Sequence, residues 1–282
     1  MLDSSIVSAG IDYISLTLPN DHPSAATWWE RCMKYLETIV TAGNELQPAR
    51  RLGYDGVAIG GSFLGIREDS YLCTISGERA QQGFDAVYDR DCHISRLDVQ
   101  TTVRVPGGAV DTARNARNAV VRSNMRLGAE RQRNATLIED LRGGATCYVG
   151  SMKSPQFARI YNKEAESGEE RYKECWRYEI LLRNELAGKM AELFKKSEYA
   201  QPNQAAITVR QWLAKRGVAV PWKAEAELYA LPTIAIAQSD EEKRLQWLRE
   251  QVRPAIRRLL KLGLYDSVLE ALGLNDKPSG DG

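Results

Sequence analysis

Three segments of the chain alternate with the period of two that a half-buried strand requires, and each gathers charge on one side. From Ile94 to Val103, Arg96, Asp98 and Gln100 share a face while Leu97 and Val99 take the other. From Tyr172 to Arg183, Arg177 and Glu179 oppose Trp176, Tyr178, Ile180 and Leu182. Between them, a strand from Phe157 to Asn162 carries Arg159 and Tyr161, and its spacing of two extends to Lys163. If these strands are neighbours, the charged sets converge. Such a face also describes a solvated sheet surface or a set of structural salt bridges.

The remaining pattern supplies a sheet with covering helices. Ile11 to Leu18 alternates as a strand that ends at Pro19-Asn20, and helix follows from about Ala25 to Ala42. Turn signals at Gly60-Gly61 and Glu68-Asp69-Ser70 divide residues 53–76 into two or three antiparallel strands. Ala145–Gly150 and Phe157–Asn162 form a hairpin across Ser151–Pro155. From Leu186 onward the pattern is helical, broken at Pro202, Gly217 and Pro221. The tail from Ser239 to Leu274 reads as two helices linked near Gly263, with a capping box at Ser239 and Glu242 and an apolar stripe of Leu245, Leu248, Val252, Ile256, Leu259 and Leu260. The fold class expected is α+β, an antiparallel β-sheet catalytic domain with packed helices over residues 1–235 and a small C-terminal helical segment over 236–282.

Charge matters here by its distribution. The 38 basic and 37 acidic residues nearly cancel, yet residues 110–133 hold Arg114, Arg117, Arg122, Arg126, Arg131 and Arg133 against few acids, which predicts a basic helix. With Lys153 in the hairpin turn, these arginines are candidate phosphate contacts for DNA, and a solvated Arg-rich helix is the plain alternative. The five cysteines are scattered without a CxxC pair, and no apolar stretch approaches the roughly 18 residues that span a bilayer. With no leader-like N-terminus, these features predict a cytoplasmic protein with no membrane partner.

The converging faces carry a definite chemistry. Tyrosine ionises near pH 10 in water, so a tyrosine nucleophile needs cations beside its phenolate, and Lys163 and Arg159 are placed to supply them. Asp98 and Glu179 offer hard oxygen ligands for Mg²⁺ or Mn²⁺ with positions left for a scissile phosphate. Arg96 and Arg177 complete the charged face as candidate DNA contacts. The geometry expected places Asp98 and Glu179 on strands flanking that of Tyr161, facing the same side.

The wording of these segments resembles the replication initiation factor family, which comprises rolling-circle initiators of small plasmids and phages and related relaxases of conjugative elements. The matching stretches are Gly144-Ala-Thr-Cys-Tyr-Val-Gly-Ser-Met-Lys-Ser154, Arg159-Ile-Tyr-Asn-Lys163 and Trp176-Arg-Tyr-Glu-Ile-Leu-Leu-Arg183, with Ile11–Thr17, Gly65-Ile-Arg67, Ser76-Gly77, Arg96-Leu-Asp98, Leu245–Val252 and Leu272-Gly273 in order around them. The tail looks most like phage-type members. The resemblance implies that Tyr161 cuts one strand at an origin and is joined to the new 5′ phosphate, freeing a 3′ hydroxyl. It implies a divalent metal at Asp98 and Glu179, with Glu166 a further candidate for metal or base. It also implies single-stranded or hairpin origin DNA as partner, a host helicase and DNA polymerase as recruits, and either a monomer or a homodimer.

Competing readings stay open on the sequence. A His-hydrophobic-His metal motif is absent, since His22 and His93 stand far apart. Tyr172 is the best alternative nucleophile, and Tyr178 belongs to the core. The six tryptophans, Trp28, Trp29 and Trp247 among them, are expected in the core more than as stacking platforms. A noncatalytic DNA-binding regulator on the same scaffold and a phosphodiesterase that uses only the acids and an activated water are the rival functions.

Overall fold

Antiparallel pairing of strands far apart in sequence organises the molecule. The computed structural model describes residues 5–41, 43–106, 112–125, 127, 133–139, 144–196, 201–223, 253–265 and 267. Its strands are β1 (Ile6–Pro19), β2 (Gln47–Arg51), β3 (Tyr54–Ile59), β4 (Ser62–Ile66), β5 (Ser70–Ser76), β6 (His93–Arg104), β7 (Ala135–Glu139), β8 (Ala145–Val149), β9 (Gln156–Asn162) and β10 (Cys175–Arg183). They form one ten-stranded sheet in the order β2-β3-β4-β5-β1-β6-β10-β9-β8-β7. The helices are α1 (Ala25–Glu37), α2 (Ala80–Val87), α3 (Thr112–Asn124), α4 (Lys163–Ser167), α5 (Glu185–Lys196), α6 (Gln201–Ala214) and α7 (Arg253–Lys261). The molecule is α+β, and it divides into two compact units, Met1–Thr233 and Ile234–Gly282.

In the first unit, strand alternation separates two faces. One is apolar: Leu97 pairs with Ile14 and Leu182, Val99 with Ile180, and Tyr178 with Ile160, all buried. Long helices lie on this face. Cys32 of α1 meets Cys73 of β5, Gly83 of α2 leaves room for Ile75, and Trp222, beyond α6, packs edge-on against Tyr178 with ring centroids 5.0 Å apart. Lys195 of α5 lies over the Phe84 ring of α2 at 4.9 Å, which ties two covering helices together. The opposite face carries Arg96, Asp98, Gln100, Arg177, Glu179, Arg159 and Tyr161.

Element ends depart from the sequence reading for local reasons. Helix α1 stops at Glu37 instead of Ala42, because Thr38-Ile39-Val40-Thr41 is a β-branched run that loses side-chain freedom in a helix. The basic helix expected over 110–133 ends at Asn124, whose side chain accepts from the Arg133 N–H and donates to the Arg133 carbonyl. That clasp turns the chain into β7, a strand the pattern did not disclose; Arg126 and Arg131 lie outside the described residues. Strand β10 begins at Cys175, because residues 170–172 form a 3₁₀ turn and Glu174 is left-handed, with φ of 56°. Strand β2 was also not expected.

In the second unit, α7 holds Ile256, Leu259 and Leu260 and ends before Gly263, whose φ of 76° provides the left-handed stop. Ser239, Glu242, Leu245, Leu248 and Val252 lie outside the described residues.

Close backbone approach imposes one glycine on the sheet. Gly56 faces Gly65 across β3 and β4, and a Cβ on Gly56 would stand 2.0 Å from the Leu64 carbonyl oxygen. Gly56→Ala therefore forces the two strands apart, and the expected loss is about 2 kcal/mol. A urea unfolding midpoint that falls at unchanged slope would show it; an unchanged midpoint would contradict the close approach.

Candidate active site

Register brings the charged sets together in the centre of the sheet. Tyr161 on β9 is paired with Arg177 on β10, and Arg159 with Glu179. On its other side β10 pairs with β6, so that Glu179 faces Gln100, Arg177 faces Thr102, and Leu181 faces Asp98. The flanking geometry is therefore half as expected. Glu179 does lie on a strand beside that of Tyr161, whereas Asp98 lies one strand further, on β6, and β8 is the other neighbour of β9. Alternation places side chains on a face but leaves strand order open.

The two acids are buried, and each is paired with an arginine. Glu179 is fully buried and accepts from Arg159 Nη2 at 2.8 and 2.9 Å, with the Tyr161 hydroxyl donating to its Oε2 at 3.4 Å. Asp98 accepts from Arg96 Nε at 2.8 Å and Nη2 at 2.5 Å. Burial pushes the Asp98 carboxyl well above its ordinary range against the pull of Arg96, and the charge of nearby Glu179, within hydrogen-bond reach, adds to the rise. Burial and then the Glu179 charge also push the Tyr161 hydroxyl above the usual tyrosine range, opposed by Arg177 and Arg159. At rest the phenol is protonated.

A third acid, Asp12 on β1, belongs to this layer. Its Oδ1 accepts from Arg177 Nη1 at 2.9 Å, while Arg177 Nε donates to Thr102 Oγ1 at the same distance. Burial raises the Asp12 carboxyl, and Arg177 opposes that rise. Strict alternation groups Asp12 with Ile14, Leu16 and Leu18, the apolar set. A register shift between Ile11 and Tyr13 turns it to the charged face instead. Only the bulge reveals it.

Three site assignments need correction. Lys163 does not continue the strand; it opens α4, where the Asn162 side chain caps the helix by accepting from the Ala165 N–H at 3.1 Å. Its ammonium pairs with Glu166 and lies 5.3 Å from the Tyr172 ring centre. Exposed Glu166 is paired with Lys163 and lines a cavity of about 270 Å³ with Tyr161, Tyr148 and Thr146. Arg177, expected to contact DNA, is buried at 4% exposure and paired with Asp12.

The other basic candidates divide between the faces. Arg96 stays partly exposed on the site face, 4.5 Å from the Tyr13 ring centre, and Lys153 is exposed in the β8–β9 turn. Helix α3 packs on β7 and β8, and its Arg117 acts on Cys147, which pairs with Ile160 of the apolar face. Arg117 and Arg122 are exposed, and Arg114 pairs with Glu139 at 2.8 Å. The basic helix thus belongs to the layer opposite Tyr161. On the site face, guanidinium groups cover aromatic rings: Arg51 on Phe63, Arg67 on Tyr54, Arg96 on Tyr13, Arg159 on Tyr161, Arg183 on Phe157, and Arg171 with Arg177 on Tyr172.

The remaining candidates have other surroundings. The Tyr172 hydroxyl donates to Glu78 at 2.5 Å, and burial, with Glu78, pushes it up to about 12. Tyr178 is buried on the apolar face, and Trp28, Trp176, Trp212 and Trp222 are core residues. Trp29 meets Tyr71 with ring centroids 4.9 Å apart, and Trp247 lies outside the described residues. His93 is exposed at the start of β6, and His22 lies 3.8 Å from Asp91.

A magnesium-like ion takes one or two protein carboxylates together with substrate phosphate and water. Asp98 and Glu179, two buried carboxyl groups within hydrogen-bond reach, fit that requirement. Glu166 does not join them, and among the described residues no group of three or more His, Cys, Asp or Glu is arranged to hold a metal.

Comparison with known proteins gives the site a context. A solved structure of a rolling-circle replication initiator protein from Geobacillus stearothermophilus is 18% identical, with a TM-score of 0.48 over 66% of this chain and 78% of that one. No curated protein matches the chain. The model of the replication initiation factor family matches residues 109–271, more than half of the chain and all of β8, β9 and β10. The chain belongs to the replication initiation factor family.

Proposed function

We propose that this protein initiates rolling-circle replication by nicking one strand of an origin through Tyr161, which becomes joined to the 5′ phosphate and frees a 3′ hydroxyl. The observation that carries the reading is the phenol's setting: its hydroxyl donates to Glu179 Oε2 at 3.4 Å, while Arg159 covers its ring and Arg177 stands across the strand pair. Attack forms the bond from the tyrosine oxygen to phosphorus and breaks the bond from phosphorus to the 3′ oxygen. The phenol proton passes to Glu179 Oε2, and the leaving 3′ oxygen takes a proton from solvent water. A bound phosphate competes with Glu179 for Arg159, so substrate itself frees the cation that stabilises the developing charge.

A divalent ion held by Asp98 and Glu179 would polarise the phosphoryl oxygen as a Lewis acid. The partly exposed Arg96 guanidinium, lying over Tyr13, offers unpaired DNA a cationic plane against which a base can stack. Single-stranded or hairpin origin DNA is the partner this arrangement suits, and a free 3′ end calls next for a host helicase and polymerase.

Covalent chemistry separates this enzyme from a regulator on the same scaffold. With labelled single-stranded origin DNA and Mn²⁺, wild-type protein is expected to form an adduct that survives denaturing electrophoresis, and Tyr161→Phe is expected to form none. Equal adduct in both proteins would remove Tyr161 as nucleophile, and none in either would favour the regulator.

The metal has its own test. Chelation, or Asp98→Asn, is expected to lower the rate of adduct formation by at least about 10-fold while DNA binding, followed by fluorescence anisotropy, persists. Mn²⁺ should restore the chelated wild type. An adduct rate indifferent to chelation would contradict a metal at Asp98 and Glu179.

A further inference from the structure

A second cavity, of about 340 Å³, opens on the site face beside the first. Ser8, Asp12, Gln81, Gln100, Tyr172 and Arg177 are among its lining residues. Arg177 is the strand partner of Tyr161, so the phenol stands between this cavity and the one it shares with Tyr148. Two strand spacings, about 10 Å, separate the β9 and β6 walls. A scissile phosphate at Tyr161 necessarily carries a nucleotide on each side, and the two cavities lie on the two sides.

The polar groups in this cavity are those that read a base edge. The Gln100 amide donates to Ser8 Oγ at 3.3 Å and accepts from Thr102 Oγ1 at 2.9 Å. An amide has two N–H groups and two lone pairs, so one donor and one acceptor remain beyond these contacts. Both partners are hydroxyls that can donate or accept, so one donor and one acceptor remain whichever way the amide is turned. A glutamine with a donor and an acceptor in hand matches adenine, whose N6 donates and N7 accepts. The buried Tyr172 ring, with Arg171 at 4.7 Å, Lys163 at 5.3 Å and Arg177 at 6.0 Å over it, closes one wall and lends the cavity positive charge for a nucleotide. The volume is at the small end of ligand cavities, the scale of one base rather than of a folded duplex.

We propose that this cavity receives the unpaired base next to the scissile phosphate and that Gln100 reads its edge, favouring adenine. The proposal rests on Tyr161 as the nucleophile, and it makes Gln100 a specificity residue with no part in bond making.

The test uses a randomised single-stranded library cut by the full-length protein with Mn²⁺. Sequencing the released 3′-hydroxyl fragments gives the base before the nick, and sequencing the protein-linked fragments gives the base after it. Adenine is expected to be enriched about 10-fold at one of these two positions. Gln100→Ala should flatten that position alone while the adduct still forms, and Ser8→Leu, which fills the cavity from β1, should do the same. If Gln100→Ala fails to fold by circular dichroism, Ser8→Leu decides. Adenine unenriched at both positions, or enrichment retained in the folded variants, overturns the proposal. Absence of any wild-type adduct would instead count against nicking. In that event, fluorescence anisotropy on oligo-dA, oligo-dC and oligo-dT still reads the cavity: a preference for oligo-dA that Gln100→Ala abolishes supports base reading, and equal affinities overturn it.

Discussion

The pairing of Arg159 with Glu179 is the interaction on which the centre of the molecule depends. Glu179 has no exposure to solvent, and a carboxylate taken out of water needs a cation and hydrogen bonds to remain charged. Arg159 reaches it from the neighbouring strand, and beyond it Asp98 is paired with Arg96 of its own strand. Removing one partner from a buried pair typically costs on the order of 3–5 kcal/mol, so the Arg159–Glu179 pair also holds β9 and β10 in register. A slip of one residue would turn every one of these charges into the apolar face beneath the helices.

That layer of paired charge explains why the tyrosine is quiet in the resting protein. The positive groups near Tyr161 are engaged by Glu179 and Asp12, and burial favours its neutral form. On the proposed function, a phosphate diester brings the negative charge that competes with Glu179 for Arg159. On that reading, the cation a phenolate needs would become available when substrate arrives, and the carboxylate it leaves would be the natural place for the phenol proton.

Much of the site could be read from the chain because strand periodicity is local. Arg96, Asp98 and Gln100 do share a face, as do Arg177 and Glu179, and as do Arg159 and Tyr161. The hairpin from β8 to β9 follows from Ser151–Pro155, and Tyr178 lies on the apolar face as its parity requires. Lys163 failed because parity was extended past Asn162, a residue whose side chain starts a helix. Asp12 was missed because a bulge reverses parity, and bulges arise from pairing with a partner strand 80 or more residues away. The arginines of α3 were grouped with the site by charge alone, whereas packing on Cys147 assigns the helix to the other layer.

By itself, then, the sequence determined the α+β class, the faces of the three central strands and the membership of Tyr161, Glu179 and Asp98 in one charged set. Those follow from the alternation of side chains and from residue chemistry, which need no knowledge of the rest of the chain. Only the tertiary structure decided that β10 lies between β9 and β6, that Arg177 faces Tyr161 while bound to Asp12, and that cavities open on both sides of the phenol. Strand order and bulges are set by hydrogen bonds between segments distant in sequence, and periodicity within a segment carries no record of its neighbour.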